Sequence, residues 1–269
     1  MLFRSKQINF LGKIIKIKAT LSENVNLFFR IKTRIIHLFQ KNKRPKDFPI
    51  IINNFNRLQY LQKQIDWLVS CGLKNIHVID NASTYAPLLE YYKIIPATVY
   101  ILDRNVGHNA LWRTHLYQRF RKYYYVYTDP DLLPAQDTPK DFINHFKDLL
   151  DKYPEIQKVG FGLITNDLPD HYPRKEEVIA WEKKFTTNEI EPGVYRSKID
   201  TTFALYRPGA FMQCWENTLR TGYPYTLHHM PWYENPSEAE VETKYYLEQA
   251  TGVSSWYNSL KNSSSPYEG

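Results

Sequence analysis

Two carboxylates, Asp129 and Asp131, sit one residue apart in Asp129-Pro130-Asp131, directly after the run Tyr124-Tyr-Val-Tyr-Thr128. At an exposed strand end such a pair presents hard oxygen ligands to Mg²⁺ or Mn²⁺. That ion neutralises the charge that builds up on a diphosphate leaving group. A bare triplet of this kind is more often a solvated turn, so its weight depends on its company. A second dense cluster is Leu227-His-His-Met-Pro-Trp-Tyr233. Its neutral imidazoles are good Mn²⁺ ligands, although a histidine packed against aromatic rings is the plainer reading. Asp200 is the sole acid of Ile199-Asp-Thr-Thr-Phe-Ala-Leu-Tyr206, and the plain reading makes it a strand-start cap on nearby amides. Glu234, Glu238, Glu240 and Glu242 follow the histidines, and most of them read as a solvated helix face.

The elements that must position these groups are legible as an alternation. Phe48-Pro-Ile-Ile-Ile-Asn-Asn54 is an apolar run with a polar end, hence a buried strand. The spacing of Leu61, Ile65, Leu68 and Val69 predicts a helix over 58–69, closed by Cys71 and Gly72. Strands follow at 76–80, 98–102 and 124–128, and helices are expected at 87–92 and 109–119. Strands alternating with helices argue for a mostly parallel sheet covered on both faces. Ligands of such sheets sit beyond the carboxyl ends of the strands. Those ends carry Asn53-Asn54, Asp80-Asn81, Asn105 and Asp129-Pro-Asp131. Downstream, a helix over 142–153 and strands at 159–165 and 199–206 are expected, with a long acceptor-shaping loop over 166–198.

Four segments in this order resemble the GT-A-fold nucleotide-sugar glycosyltransferases, close to the bacterial family 2-like enzymes. Residues 48–57 are similar to that family's opening strand and Asn-Arg turn. Val78-Ile-Asp-Asn-Ala-Ser-Thr84 resembles its second-strand motif, Asp103-Arg-Asn-Val-Gly-His108 its donor-pocket loop, and Asp129-Pro-Asp131 its Asp-x-Asp. Asn81-Ala82 stand where many members have Asp-Gly. The resemblance implies an α/β GT-A fold and a nucleotide-sugar donor, a UDP-sugar. It implies that Asn54, Arg57, Asp80, Asn105, Gly107 and Asp129 hold the nucleotide. It implies a Mn²⁺ or Mg²⁺ at Asp129 and Asp131, with His229 as the better closing ligand and His228 the second. It also places Asp200 beside the donor, where it suits a general base for the acceptor hydroxyl, with Glu234 as runner-up. The activity expected is transfer of a sugar to a glycan or lipid-linked glycan in surface polysaccharide synthesis. A nucleotidyltransferase with a metal-binding Asp pair is the alternative, although Asn53-Asn-Phe-Asn-Arg57 lacks the usual glycine-rich phosphate loop. A non-catalytic nucleotide-sugar-binding module is a second.

Charge divides the 269-residue chain. Residues 1–47 carry 12 basic and 2 acidic groups, a balance of +10, whereas the remainder stands at −3. The boundary expected is a basic extension and linker over 1–47, then one domain over 48–269 with nucleotide-binding (48–134) and acceptor (135–260) halves. Phe28, Ile31, Ile35, Leu38 and Phe39 make a basic amphipathic helix of residues 24–40. Residues 10–18 look like a weaker copy. An anionic membrane surface is the expected partner of this arm. Packing on its own domain, or on a second subunit of a homodimer, is the alternative. No nucleic-acid motif accompanies the charge. Two cysteines rule out a disulfide scaffold. No apolar run approaches the ~20 residues of a membrane span, and residues 1–18 lack the continuous apolar stretch of a secretion signal. A cytoplasmic protein, peripheral on the inner face of the cell membrane, is therefore expected.

Overall fold

The computed structural model describes residues 13–17, 31, 35, 44–199, 203–211, 217–235 and 240–250. In chain order the first elements are β1 (Lys13–Ile17), β2 (Ile50–Asn54), α1 (Gln59–Ser70), β3 (Ile76–Asp80), α2 (Ala86–Tyr91), β4 (Thr98–Leu102), α3 (Leu116–Phe120) and β5 (Tyr125–Thr128). Then come β6 (Leu132–Pro134), α4 (Phe142–Lys152), β7 (Lys158–Leu163), α5 (Lys175–Lys183), β8 (Glu189–Glu191), β9 (Val194–Arg196), β10 (Ala204–Tyr206), β11 (Thr218–His229) and α6 (Val241–Gln249). They form one α/β unit around a mixed, largely parallel sheet of order β1-β4-β3-β2-β5-β10-β7-β11-β9-β8, with β6 on β11. The five strands from β1 to β5 in that order pair in parallel. The short β10 then runs antiparallel to both its neighbours, β5 and β7.

The side-chain period of two splits the core between the faces of this sheet. Ile50, Ile52, Val78 and Val126 face one way, into a core closed by Leu61, Ile65 and Leu68 of α1 and Phe142, Phe146 and Leu149 of α4. Ile51, Ile79, Tyr125 and Tyr127 face the other way, onto Trp112, Leu116, Tyr117 and Phe120. Because both faces are covered, β2 is buried at every position, which is why it reads as an unbroken apolar run. Gly72 ends α1 at φ +77°, a left-handed conformation that glycine takes without strain.

Four expectations need correction. Lys13–Ile17 is an edge strand beside β4, not a weak helix: Ile15 and Ile17 alternate inward onto the second core. The helix expected over 109–119 is reduced to α3, and residues before it form turns. There the Thr114 hydroxyl bonds back to the carbonyls of Ala110 and Leu111, competing with regular helix bonding. The segment 166–198 is not one long loop but holds α5 and the β8–β9 hairpin. α5 is fastened by an ion pair between buried Glu182 and buried Arg220 of β11, a contact with no apolar signature. Strand β10 occupies only the end of the segment 199–206. Of the expected amphipathic helix, Ile31 and Ile35 are helical and exposed, and the rest lies outside the described residues. No helix among the described residues is long and apolar enough to cross a membrane.

Candidate functional site

The site is built where the parallel strands end. After β5 the chain turns through Asp129-Pro130-Asp131 and enters β6, which pairs antiparallel with the end of β11 so that His229 lies opposite Leu132 and His228 opposite Leu133. That register carries His229 back to the turn: its Nε2 is 3.9 Å from Asp131 Oδ2. The backbone of the turn is held from beneath. Gln64 of α1 donates from Nε2 to the carbonyls of Asp129 (2.8 Å) and Leu132 (2.9 Å). Met230 N–H donates to the Asp131 carbonyl at 2.9 Å. Asp131 is left partly exposed, and the His229 ring stands edge-on to Trp232 at 4.8 Å. The Asp129 carboxylate accepts from Asn53 Nδ2 at 3.4 Å.

No group of three or more His, Cys, Asp or Glu side chains among the described residues is arranged to hold a metal ion. The convergent donors are therefore Asp131 and His229, one carboxylate oxygen and one imidazole nitrogen. That set fits Mg²⁺ or Mn²⁺ bound together with a diphosphate, because such ions keep several water or phosphate oxygens and take one or two protein ligands.

Beside the turn, the other strand ends are knitted into a floor. Asn81 donates to Asn53 Oδ1 at 2.6 Å and to the Gly107 carbonyl at 3.4 Å, and its own Oδ1 accepts from Val106 N–H at 3.1 Å. Asn105 accepts from Gly107 N–H at 2.8 Å, and Gly107 takes φ +82°. The Asn105–Gly107 loop is thus joined through Asn81 and Asn53 to Asp129. Asn81, one of the polar strand-end residues picked out in the sequence, is the joint of this floor.

Asp80 and Asn54 do not line it. Both are fully buried, and Tyr92 sits between them, donating to Asp80 Oδ2 at 2.7 Å and accepting from Asn54 Nδ2 at 2.9 Å. Asp80 Oδ1 accepts from Ser83 N–H at 2.9 Å. Burial pushes the Asp80 carboxyl up from its ordinary range, against the pull of these bonds. Asp80 therefore holds the loop after β3. In that loop Ala82 takes φ +58°, the left-handed conformation for which glycine is better suited.

Arg57 is the third feature. It is nearly inaccessible, pairs with Glu234 Oε1 at 3.2 Å, donates to Thr243 Oγ1 at 3.0 Å and lies 4.2 Å from the Tyr246 ring centroid and 5.1 Å from that of Tyr60. The Tyr60 hydroxyl also donates to Glu234 Oε1. Burial, then the Glu234 carboxylate, pushes the Tyr60 hydroxyl well above its ordinary range. Glu234, the runner-up base of the sequence, is thus engaged as the counter-ion of Arg57. Glu242 departs from the solvated helix face expected of these glutamates: it is buried and accepts from Gln59 N–H. Glu240 is exposed. His228 points to Asp167, Nε2 to Oδ2 2.8 Å, and the Tyr233 hydroxyl donates to Asp167 Oδ1 at 2.5 Å. Asp200 and Glu238 lie outside the described residues. Gln64 and Tyr60 are the residues that sequence reasoning missed.

No protein-family model matches this chain, and no curated protein matches it. Its structure is distantly similar to that of S. aureus TarS residues 1–349, with 10% identity and a TM-score of 0.41 over 70% of this chain and 62% of that one. A second S. aureus TarS structure is similar at 17% identity and a TM-score of 0.38, over 60% of this chain and 28% of that one. The chain thus spans less than two thirds of either TarS chain.

Proposed function

We propose that this chain is a metal-dependent glycosyltransferase of GT-A type. It would move a sugar from a nucleoside diphosphate sugar, of which a UDP-sugar is the first candidate, to a hydroxyl of a glycan or lipid-linked glycan. One observation carries this reading: Asp131 and His229 converge, 3.9 Å apart, at the carboxyl end of the parallel sheet beside the floor made by Asn53, Asn81 and the Asn105–Gly107 loop. A metal–diphosphate subsite beside the polar carboxyl ends of a parallel sheet is the arrangement that suits a nucleotide-sugar donor.

Asp131 and His229 would hold a Mn²⁺ or Mg²⁺, and such an ion would supply neutralisation of the departing diphosphate. The chain's own residues do the rest. The Asn81 joint keeps the Asn105–Gly107 loop at a fixed distance from Asp129, so that nucleoside and diphosphate are held as one unit. Arg57 adds a fixed positive charge behind the turn, oriented by Glu234. Asp200 would take the proton of the attacking hydroxyl. The +10 extension would bring an acceptor at an anionic membrane surface within reach.

Calorimetry with UDP, GDP, CDP, ADP and dTDP, each with and without Mn²⁺, tests the donor site. One of them should bind in a Mn²⁺-dependent way, and failure of all five would overturn the reading. For the arm, replacing Arg30, Lys32 and Arg34 with Gln should weaken cosedimentation with anionic vesicles. Undiminished binding would remove the membrane assignment.

A further inference from the structure

Gln64 stands in the wrong place for a polar residue. Along α1 the buried stripe is Leu61, Gln64, Ile65 and Leu68, and a leucine or methionine at 64 would complete it. Gln64 is fully buried, and its Oε1 has no hydrogen-bond partner. A buried amide oxygen left without a partner costs stability. The fold gains little from this glutamine except what its nitrogen does. Both hydrogens of Nε2 are used, one on the Asp129 carbonyl and one on the Leu132 carbonyl. With two carbonyl acceptors facing it, the amide can point only one way.

Those two carbonyls are the ends of the turn that carries the carboxylates. Pro130, within it, has no N–H to donate. Gln64 therefore bridges the turn from inside the molecule and draws both carbonyls toward the core. With the backbone oxygens drawn inward, the Asp131 carboxylate emerges on the side where His229 arrives.

We infer that Gln64 is the positioning residue of the cation subsite: by bridging the Asp129 and Leu132 carbonyls it holds the turn in the conformation that sets Asp131 against His229. This rests on the metal–diphosphate reading above. Groups one step removed from metal ligands change metal affinity by about 10–100-fold when lost, and a role of that size is assigned to Gln64.

The test compares the full-length wild type with Gln64→Met and Gln64→Glu. Methionine fills the stripe without a donor, and glutamate keeps the shape but puts oxygen against two carbonyls. Mn²⁺ affinity is read by electron paramagnetic resonance, alone and with the nucleoside diphosphate that the wild type binds most tightly. Amide hydrogen exchange at Asp131, Leu132 and Leu133 is read without metal. For Gln64→Met the melting temperature should be unchanged or raised, while Mn²⁺ affinity falls about ten-fold and exchange in the turn quickens. Gln64→Glu should lose affinity further. A wild type that binds neither Mn²⁺ nor any diphosphate would overturn the metal reading, and this inference with it. A wild type that binds, with a Gln64→Met variant of equal affinity and equal turn exchange, would overturn the inference alone. A lower melting temperature with unchanged Mn²⁺ affinity would make Gln64 a core residue only.

Discussion

Arg57 is a cation with almost no access to water, and its surroundings are a list of ways to make that tolerable: a carboxylate, a hydroxyl and two aromatic faces. Taking away the carboxylate leaves the charge stranded, which for a buried pair costs about 3–5 kcal/mol. Glu234→Ala should therefore lose at least about 3 kcal/mol in urea unfolding, and Glu234→Gln less, since it keeps acceptors for Tyr60 and Thr243. A Glu234→Ala protein of wild-type stability would show that the pair carries no weight. Asp131 is the opposite case. Its carboxylate emerges at the mouth of the site, and its backbone carbonyl is what Met230 holds, so Asp131→Asn should keep its melting temperature and lose Mn²⁺-dependent nucleotide binding. Retained Mn²⁺ dependence in calorimetry would exclude Asp131 as a ligand. Asp200→Asn asks a question of chemistry alone: an amide has nearly the shape of a carboxylate but takes no proton at neutral pH. Transfer should fall by about 10²–10⁴ with donor binding intact. Lost donor affinity would move Asp200 into the nucleotide site, and near-normal transfer would leave it a cap.

At the scale of elements, the first turn of α1 is finished by a residue 183 positions away. Glu242, near the start of α6, accepts from Gln59 N–H with both oxygens, at 3.2 and 3.1 Å, where Leu58 offers no side-chain cap. A carboxylate at a helix start satisfies an orphan N–H and meets the positive end of the helix dipole. Glu242→Ala should cost about 1 kcal/mol in urea unfolding, with Glu242→Gln recovering part. An unchanged midpoint for the alanine variant would mean that α6 does not brace α1. This contact also explains what a sequence can disclose. Strands β2 to β5 are legible because Ile50–Ile52 and their neighbours are apolar on both faces, a local fact. Lys13–Ile17 is too short to separate a period of two from one of 3.6, and only its distant partner β4 decides the matter. The Asp129–Asp131 turn is legible from spacing alone. Gln64 beneath it is not, since a polar residue in an apolar stripe declares its purpose only when carbonyls 65 and 68 positions on are brought to it. The Arg57–Glu234 pair and the Glu182–Arg220 clasp under α5 are long-range in the same way.

Across the whole molecule, the parallel half supplies a floor of strand ends, and in the mixed half β11, parallel to β7, runs on to pair with β6 so that its last residues meet that floor. Each face of the sheet is covered by its own core, and a histidine is buried in the second. His77 of β3 is buried against Tyr100 and Phe120, whose ring lies 4.8 Å away. Its two nitrogens fit one neutral tautomer: Nε2–H donates to Asn75 Oδ1 at 2.9 Å, and Nδ1 accepts from the Tyr100 hydroxyl at 3.3 Å. A second proton would force the Tyr100 hydroxyl from donor to acceptor and place a charge in the core. Burial first, then the positive charge of Arg119, pushes the His77 pKa down from 6.5 to about 4. The folded pKa lies below the unfolded one, so between these values the unfolded chain takes up a proton that the folded chain refuses. The His77 contribution to stability is therefore complete above pH 6.5 and is lost as the pH drops toward about 4, by on the order of 3 kcal/mol at the lower limit, while the raised carboxyls of Asp80 and Glu242 act the other way. Against a typical domain stability of about 5–15 kcal/mol that is a large share. Asp167, held below its ordinary range by Tyr233 and His228 despite the opposing effect of burial, loses its contribution only below 3.8, outside this window. His108 and His145, lowered chiefly by burial, act in the same direction as His77, so the diagnostic quantity is a difference in slope. His77→Leu should be less stable than wild type at pH 7.5, because Tyr100 and Asn75 lose their partner. Its stability should then fall more gently on acidification, so that the two curves converge toward pH 4.5. Urea unfolding at half-unit pH steps reads both slopes, and parallel curves would show that His77 is not the acid-sensitive group of this core.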